Sequence, residues 1–160
     1  MSKYNVECYT DGSCNPKFKV GGWASLIFYE NKKFTLQGIA NETTHNRMEL
    51  AAVINSIEYI IKEFSIIGKI KIHTDSQYVM GIPKRAKGLI TKNYLTNSGN
   101  LLQNADLVQK LVQLLYLGNI DLIKVIAHQK ASIIPNYNRE VDKLSRKIVR
   151  QHIKEEKSSS

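Results

Sequence analysis

Cysteine is scarce in this chain: Cys8 and Cys14 are the only two, too few for a disulfide framework. Long apolar runs are missing as well, and none approaches the roughly 20 residues that a membrane-spanning helix needs. The opening residues, Met1-Ser2-Lys3-Tyr4-Asn5, lack the apolar centre of a secretion signal. These absences point to an intracellular, reduced protein, expected in the cytoplasm and with no membrane partner. No repeat and no long Pro/Gly/Ser linker divides the sequence. One domain is therefore expected over residues 1–153, with residues 154–160, ending Ser158-Ser159-Ser160, as a disordered tail. Acid is in short supply too. Fourteen acidic residues stand against 23 basic ones, a formal charge of +9, which favours a polyanionic partner such as nucleic acid.

What is present is a succession of strand and helix patterns. Val6, Cys8 and Thr10 alternate with Glu7, Tyr9 and Asp11 at the period of a strand. Gly21-Gly22 precedes a second strand, Trp23 to Tyr29, and Asn31-Lys32 is predicted as the turn into a third, Phe34 to Ala40. Leu50, Ile54, Ile57 and Ile61 recur at helical spacing, behind Thr43, Thr44 or Asn46 as caps. Ile70, Ile72 and Thr74 mark a fourth strand ending at Asp75. Ser76 to Ile82 reads as a short helix stopped by Pro83. A helix over Val108–Leu115, a fifth strand over Ile120–Ala127 and a last helix from Arg139 to about His152 complete the order. Strands joined first by tight turns and then through helices predict a mixed α/β sheet, parallel where a helix makes the crossover.

Four acids stand out against this pattern. Asp11 and Asp75 fall at the carboxyl ends of predicted strands, the edge where open α/β sheets bind ligands. Glu49 and Asp142 are expected in the first turns of the first and last long helices. Taken singly, each has an ordinary explanation as a turn former, a capping-box partner or a helix N-terminal acid. Gathered at one point, four carboxylates would repel one another unless cations intervened. Oxygen-rich ligand sets suit Mg²⁺ or Mn²⁺, and two such ions can drive phosphodiester cleavage.

Four blocks in this order resemble the type 1 ribonuclease H family. They are Tyr9-Thr10-Asp11-Gly12-Ser13-Cys14, Thr43-Thr44-His45-Asn46-Arg47-Met48-Glu49-Leu50, Thr74-Asp75-Ser76-Gln77-Tyr78-Val79, and His128 with Asn138-Arg139-Glu140-Val141-Asp142. The resemblance covers about Lys3 to Arg150. It implies a ribonuclease H-like fold, a five-stranded mixed sheet of three antiparallel strands followed by parallel ones, flanked by helices. The implied activity is endonucleolytic hydrolysis of the RNA strand of RNA–DNA hybrids, leaving 3′-hydroxyl and 5′-phosphate ends. By the same resemblance Asp11 bridges two Mg²⁺ ions, with Mn²⁺ as an alternative. Glu49 and Asp75 hold the ion on the leaving-group side, and Asp142 the ion that presents the attacking water. His128 matches a loop histidine that aids proton transfer or product release, a task suited to imidazole. His73, inside a strand, is read as structural. A monomer is expected.

Telling RNA from DNA requires contacts to 2′-hydroxyls. The resemblance places Gly12, Ser13, Cys14, Gln77 and Glu49 there, with Asn15 in a loop whose sequence, Asn15-Pro16-Lys17-Phe18-Lys19-Val20, departs from the family pattern. Thr44 and Asn46 match residues that grip a phosphate of the DNA strand, and helix capping is compatible with that. Lys84, Arg85, Lys87 and Lys92 occupy the place of the family's basic hybrid-binding protrusion, which here has no tryptophan and offers Tyr94 as its aromatic. A second basic stripe, Lys143, Lys147, Arg150 and Lys154, reads first as a solvated helix face. The loop between His128 and Asp142, with Ile133-Ile134-Pro135-Asn136-Tyr137, is longer than in bacterial members. Two other functions compete with this one, a non-catalytic hybrid-binding domain and a DNA nuclease of the same superfold. The first would have lost an acid, and the second usually lacks the combined Thr-Asp-Gly-Ser and Asn-Arg-Met-Glu blocks.

Overall fold

A computed structural model describes residues 4–64, 68–125 and 136–159. Its sheet has five strands in the order β3-β2-β1-β4-β5. Strands β1 (Tyr4–Asn15), β2 (Val20–Tyr29) and β3 (Lys32–Ala40) form an antiparallel meander. Strands β4 (Lys69–Thr74) and β5 (Ile120–Lys124) add in parallel on the other side of β1. The mixed sheet expected from the sequence is therefore present.

The turn between β2 and β3 lies one residue earlier than predicted. Tyr29 pairs with Lys32, so the two-residue loop is Glu30-Asn31. Both have positive φ, 50° and 61°, the type I′ geometry that matches strand twist. β1 runs past the turn expected at Gly12-Ser13. Its parallel ladder with β4 ends at Tyr9↔His73, while its antiparallel ladder with β2 continues to Asn15↔Val20. Asp11 thus sits inside a strand, yet just beyond the end of the parallel ladder, level with Asp75 after β4.

Helix α1 (His45–Glu63) crosses from β3 to β4, and Thr44 is its cap, the side chain accepting from the Arg47 amide. Helices α2 (Gln77–Met80) and α3 (Ile82–Thr91) follow β4. Pro83 does not stop a helix here; it lies at the start of α3, where its missing N–H is harmless. Helix α4 (Ala105–Leu115) leads to β5. Helix α5 (Tyr137–Ser159) starts two residues earlier than predicted, because Asn136 Oδ1 accepts the Arg139 amide. It also runs on through residues 154–159 of the expected tail, while Ser160 lies outside the described residues. Gln151–Glu155 and His152–Glu156 pairs, and Ser158 and Ser159 hydroxyls donating to Lys154 and Glu155 carbonyls, support those turns.

Side-chain alternation along the sheet sorts two cores. Val6, Cys8, Ile27, Ile70 and Ile72 pack under α1 with Leu50, Val53, Ile57 and Leu111. On the opposite face Ala24, Leu26 and Tyr9 meet Val141 of α5. The bidentate Arg47–Asp106 pair, at 3.0 and 2.8 Å, ties α1 to α4. No helix among the described residues is long and apolar enough to cross a membrane.

Candidate active site

Three of the four acids come together. Ligand oxygens of Asp11, Glu49 and Asp75 all lie within 4.8 Å of one another. They line a cleft of about 540 Å³ together with Asp142, Gly12, Ser13, Cys14, His45, Asn46, Gln77 and Arg146.

Each acid arrives by a different local device. Asp11, by strand alternation, shares the α5 face with Tyr9, and the Ser145 hydroxyl lies 3.5 Å from its Oδ2. Gly12, one residue on, faces α1. A Cβ there would lie 2.5 Å from the Glu49 nitrogen, so only glycine lets α1 press close enough to bring Glu49 to Asp11. Glu49 is one turn further into α1 than expected, and so is no capping-box partner. Asp75 follows β4 directly and precedes Ser76, the cap of α2, whose hydroxyl accepts from the Val79 amide at 3.1 Å. The Lys124 amine donates to the Asp75 carbonyl at 2.6 Å and fixes that turn. Asp142 lies in the second turn of α5. It stands at the cleft wall with Arg146 Nε donating to its Oδ1 at 3.0 Å, and also shares a hydrogen bond with Asp11.

Burial sets the electrostatics. Asp11 is 4% exposed and Glu49 2%. Desolvation, then the charges of Glu49 and Asp75, pushes the Asp11 carboxyl far above its ordinary range. Desolvation and the charge of Asp75 likewise raise Glu49. Glu49 Oε1 faces His45 Nε2 at 2.8 Å, whereas its Oε2 is buried with no hydrogen-bond partner. A buried acceptor without a donor among crowded carboxylates favours positive charge beside it, and these hard oxygens suit a divalent cation.

The other predicted residues divide. Ser13, Cys14, Asn46 and Gln77 border the cleft. Thr44 stays at its capping position. Asn15 turns to its own loop, its Oδ1 accepting the amides of Lys17 and Phe18. Lys84, Arg85 and Lys92 border a separate depression with Leu95 and Asn97, where Lys92 Nζ donates to Asn97 Oδ1 at 3.0 Å. Lys87 lines a different groove, beside β5. Tyr94 packs against the core beneath them. His128 and Ile133-Ile134-Pro135 lie outside the described residues. Sequence reading missed His45, Ser145 and Arg146 at the site. His45 to Glu49 and Asp142 to Arg146 are both i,i+4 pairs, a spacing that was there to be read.

A family model described as RNase H matches residues 3–150. The chain belongs to the RNase H family. It is accordingly an endoribonuclease, a hydrolase. Among similar proteins, ribonuclease HI of Xylella fastidiosa (strain Temecula1) is 37% identical over 142 residues, 88% of this chain and 89% of that protein. Ribonuclease H of Caldanaerobacter subterraneus subsp. tengcongensis is 32% identical over 154 residues, 94% of each. In fold, the chain superposes on LC9-RNase H1, a type 1 RNase H with the type 2 active-site motif, with a TM-score of 0.76 at 22% identity. That match covers 93% of this chain and 74% of the other. A foamy viral protease-reverse transcriptase solved with an RNA/DNA hybrid gives 0.74 at 20% identity, covering 91% of this chain and 20% of that one.

Two outcomes follow for this RNase H. Gly12→Ala forces α1 and β1 apart, costing about 2–3 kcal/mol. The same shift moves Glu49 from Asp11, so cleavage falls about a hundredfold. Chemical unfolding and single-turnover rates read the two effects. The thiols should also separate. Cys8 is fully buried and its thiol is pushed up to about 11 by desolvation, whereas Cys14 borders the cleft. Native protein should label with a maleimide at Cys14 alone, with loss of cleavage, and mass spectrometry should find Cys8 labelled only after unfolding.

Proposed function

We propose that the chain hydrolyses the RNA strand of RNA–DNA hybrids at the carboxylate cleft, by a two-metal-ion mechanism that leaves 3′-hydroxyl and 5′-phosphate ends. The observation that carries this reading is the convergence of Asp11, Glu49 and Asp75 around a buried, unpartnered Glu49 oxygen. Asp11, Glu49 and Asp75 would hold one ion, and Asp11 with Asp142 a second, Mg²⁺ in both places or Mn²⁺ in its stead. Bound there, the ions supply Lewis acidity and a water that is nucleophilic at neutral pH. In the hydrolysis, water oxygen bonds to phosphorus and the bond from phosphorus to the 3′ oxygen breaks.

The chain's own groups supply orientation. Gly12, Ser13, Cys14 and Gln77 border the cleft where 2′-hydroxyls of the cut strand would lie, and Glu49 is within reach of them. Asn46 at the cleft rim and Thr44 at the α1 cap would grip a DNA phosphate, which positions the duplex without reading its sequence. Lys84, Arg85, Lys87 and Lys92 add cations for the hybrid's backbone, and His128 would move a proton to or from the product. Arg146, which donates to Asp142 Oδ1 at 3.0 Å and borders the same cleft, would offer its guanidinium to a substrate phosphate.

Matched RNA–DNA, RNA–RNA and DNA–DNA duplexes, each with and without Mg²⁺ or Mn²⁺, test the proposal. Only the hybrid should be cut, only with metal, and the upstream fragment should be extendable by a polymerase from its 3′-hydroxyl. Preferential cutting of the all-DNA duplex would sink it.

A further inference from the structure

Every lysine and arginine of α5 lies on one side of the helix. At about 100° per residue, Arg139, Lys143, Arg146, Lys147, Arg150, Lys154 and Lys157 fall within an arc of roughly 100°. None of the helix's acids, Glu140, Asp142, Glu155 and Glu156, lies in that arc. The opposite side carries the buried Asn138, Val141, Ser145 and Val149. A solvated face would gain from alternating signs. Here the sorting sets like charges at i,i+4, as in Lys143–Lys147, Arg146–Arg150 and Arg150–Lys154, each costing a few tenths of a kcal/mol.

The stripe has a beginning and an end. Arg139 and Lys143 open it, and Arg146 is the first of its residues to border the carboxylate cleft. The stripe ends about 16 Å beyond Arg146 along the helix, at Lys157. Lys157 Nζ sits 4.7 Å from the centre of the Phe18 ring, and Lys17 Nζ sits 5.4 Å from it. Phe18 is exposed, on the loop that also carries Lys19. A row of cations closing on an exposed aromatic among further cations is the chemistry of a single-strand path. The cations follow the phosphates, and the ring offers a stacking surface to an unpaired base. A duplex backbone would curve away from a straight helix, whereas an unpaired strand can follow it.

We propose that α5 and Phe18 form a lane for the unpaired extension of the strand held in the carboxylate cleft. The lane rests on the reading of that cleft as the cutting site for RNA paired to DNA. It would favour hybrids that end in single-stranded RNA over blunt ones, at one of the two ends of the duplex.

The test compares a blunt RNA–DNA hybrid with hybrids whose RNA strand extends about six unpaired nucleotides at the 5′ or the 3′ end. Fluorescence anisotropy in EDTA reads binding without turnover, and cleavage of the blunt hybrid with Mg²⁺ separately reads the activity. One extended hybrid should bind about tenfold more tightly than the blunt one at low salt. In the R150Q/K154Q/K157Q variant that ratio should fall to about one, with the salt slope for the extended hybrid reduced by about two. Phe18→Ser should lower the ratio about threefold. The triple substitution removes like-charge neighbours, so circular dichroism should show α5 intact. Equal binding of all three hybrids by the unaltered protein would overturn the lane, as would a ratio unmoved by the triple variant. Equal weakening on blunt and extended hybrids would assign the stripe to duplex and overturn it too. Extended-hybrid preference without any cleavage would instead retire the activity and leave the lane standing.

Discussion

Asp11→Asn is expected to abolish cleavage, by at least about a thousandfold, while leaving the protein folded. The same change should raise the metal-free melting temperature by about 2–4 °C, corresponding to roughly 1 kcal/mol. Both effects come from one side chain. Asp11 is the most crowded of the four acids, beside Glu49 and Asp75 and hydrogen-bonded to Asp142. Without cations its ionised form is desolvated among like charges, an arrangement that only bound metal makes favourable. An amide has nearly the same shape, donates to the neighbouring carboxylates, and carries no charge to bury. Activity and stability then move in opposite directions, as at many functional sites. Asp142→Asn should differ: it should lose cleavage without gaining stability, because its removal leaves the Arg146 guanidinium without the carboxylate it pairs at 3.0 Å. Calorimetry on both variants, beside cleavage of a labelled hybrid, reads the contrast. An Asp11→Asn protein that cuts at the original rate would show the acid to be structural.

The order of elements was legible because each strand and long helix carries its own period. Cys8 and Thr10 alternate, and Leu50, Ile54 and Ile57 recur on one helical face. What was not legible was where ladders end. Nothing local in Asp11-Gly12-Ser13 tells a turn from a strand, since β1 is prolonged by its partner β2, whose Gly21 and Gly22 admit Met48 and Ile148 at close range. The site followed the same rule. Its acids could be named from four short blocks, but the depth of Glu49 in α1 depends on Thr44 rather than Asn46 being the cap. The pairing of Asp142 depends on Arg146, one turn along. Pro83 misled because proline both ends helices and begins them, and only the break after Met80 decides which. The serine-rich end misled because its composition says tail, while pairs such as His152–Glu156 continue the helix.

Melting in EDTA should show the metal-free protein losing stability as pH rises from about 5 to 8, and divalent metal should cancel the loss. The sign follows from Asp11 and Glu49, whose folded-state values are raised above those of the unfolded chain. A raised carboxyl contributes stability that is complete below its unfolded value, near 4, and disappears as pH climbs through the folded one. Other shifted groups act outside this window. Asp106, held down to about 2 by Arg47, loses its contribution only in acid, and its exposed side chain keeps that contribution small. Cys8, at about 11, and Tyr9, at about 12, respond only in alkali. Metal binding requires both carboxyls to ionise, so it releases protons and strengthens as pH rises. At a hundred times the dissociation constant it contributes about 2.7 kcal/mol, or roughly 5–11 °C for a chain of this length. The gap between EDTA and Mg²⁺ or Mn²⁺ curves should therefore widen from pH 5 to pH 8. In Asp11→Asn both the slope and the gap should shrink. Coincident curves at every pH would mean that the crowded carboxylates hold no cation, and the proposed chemistry would go with them.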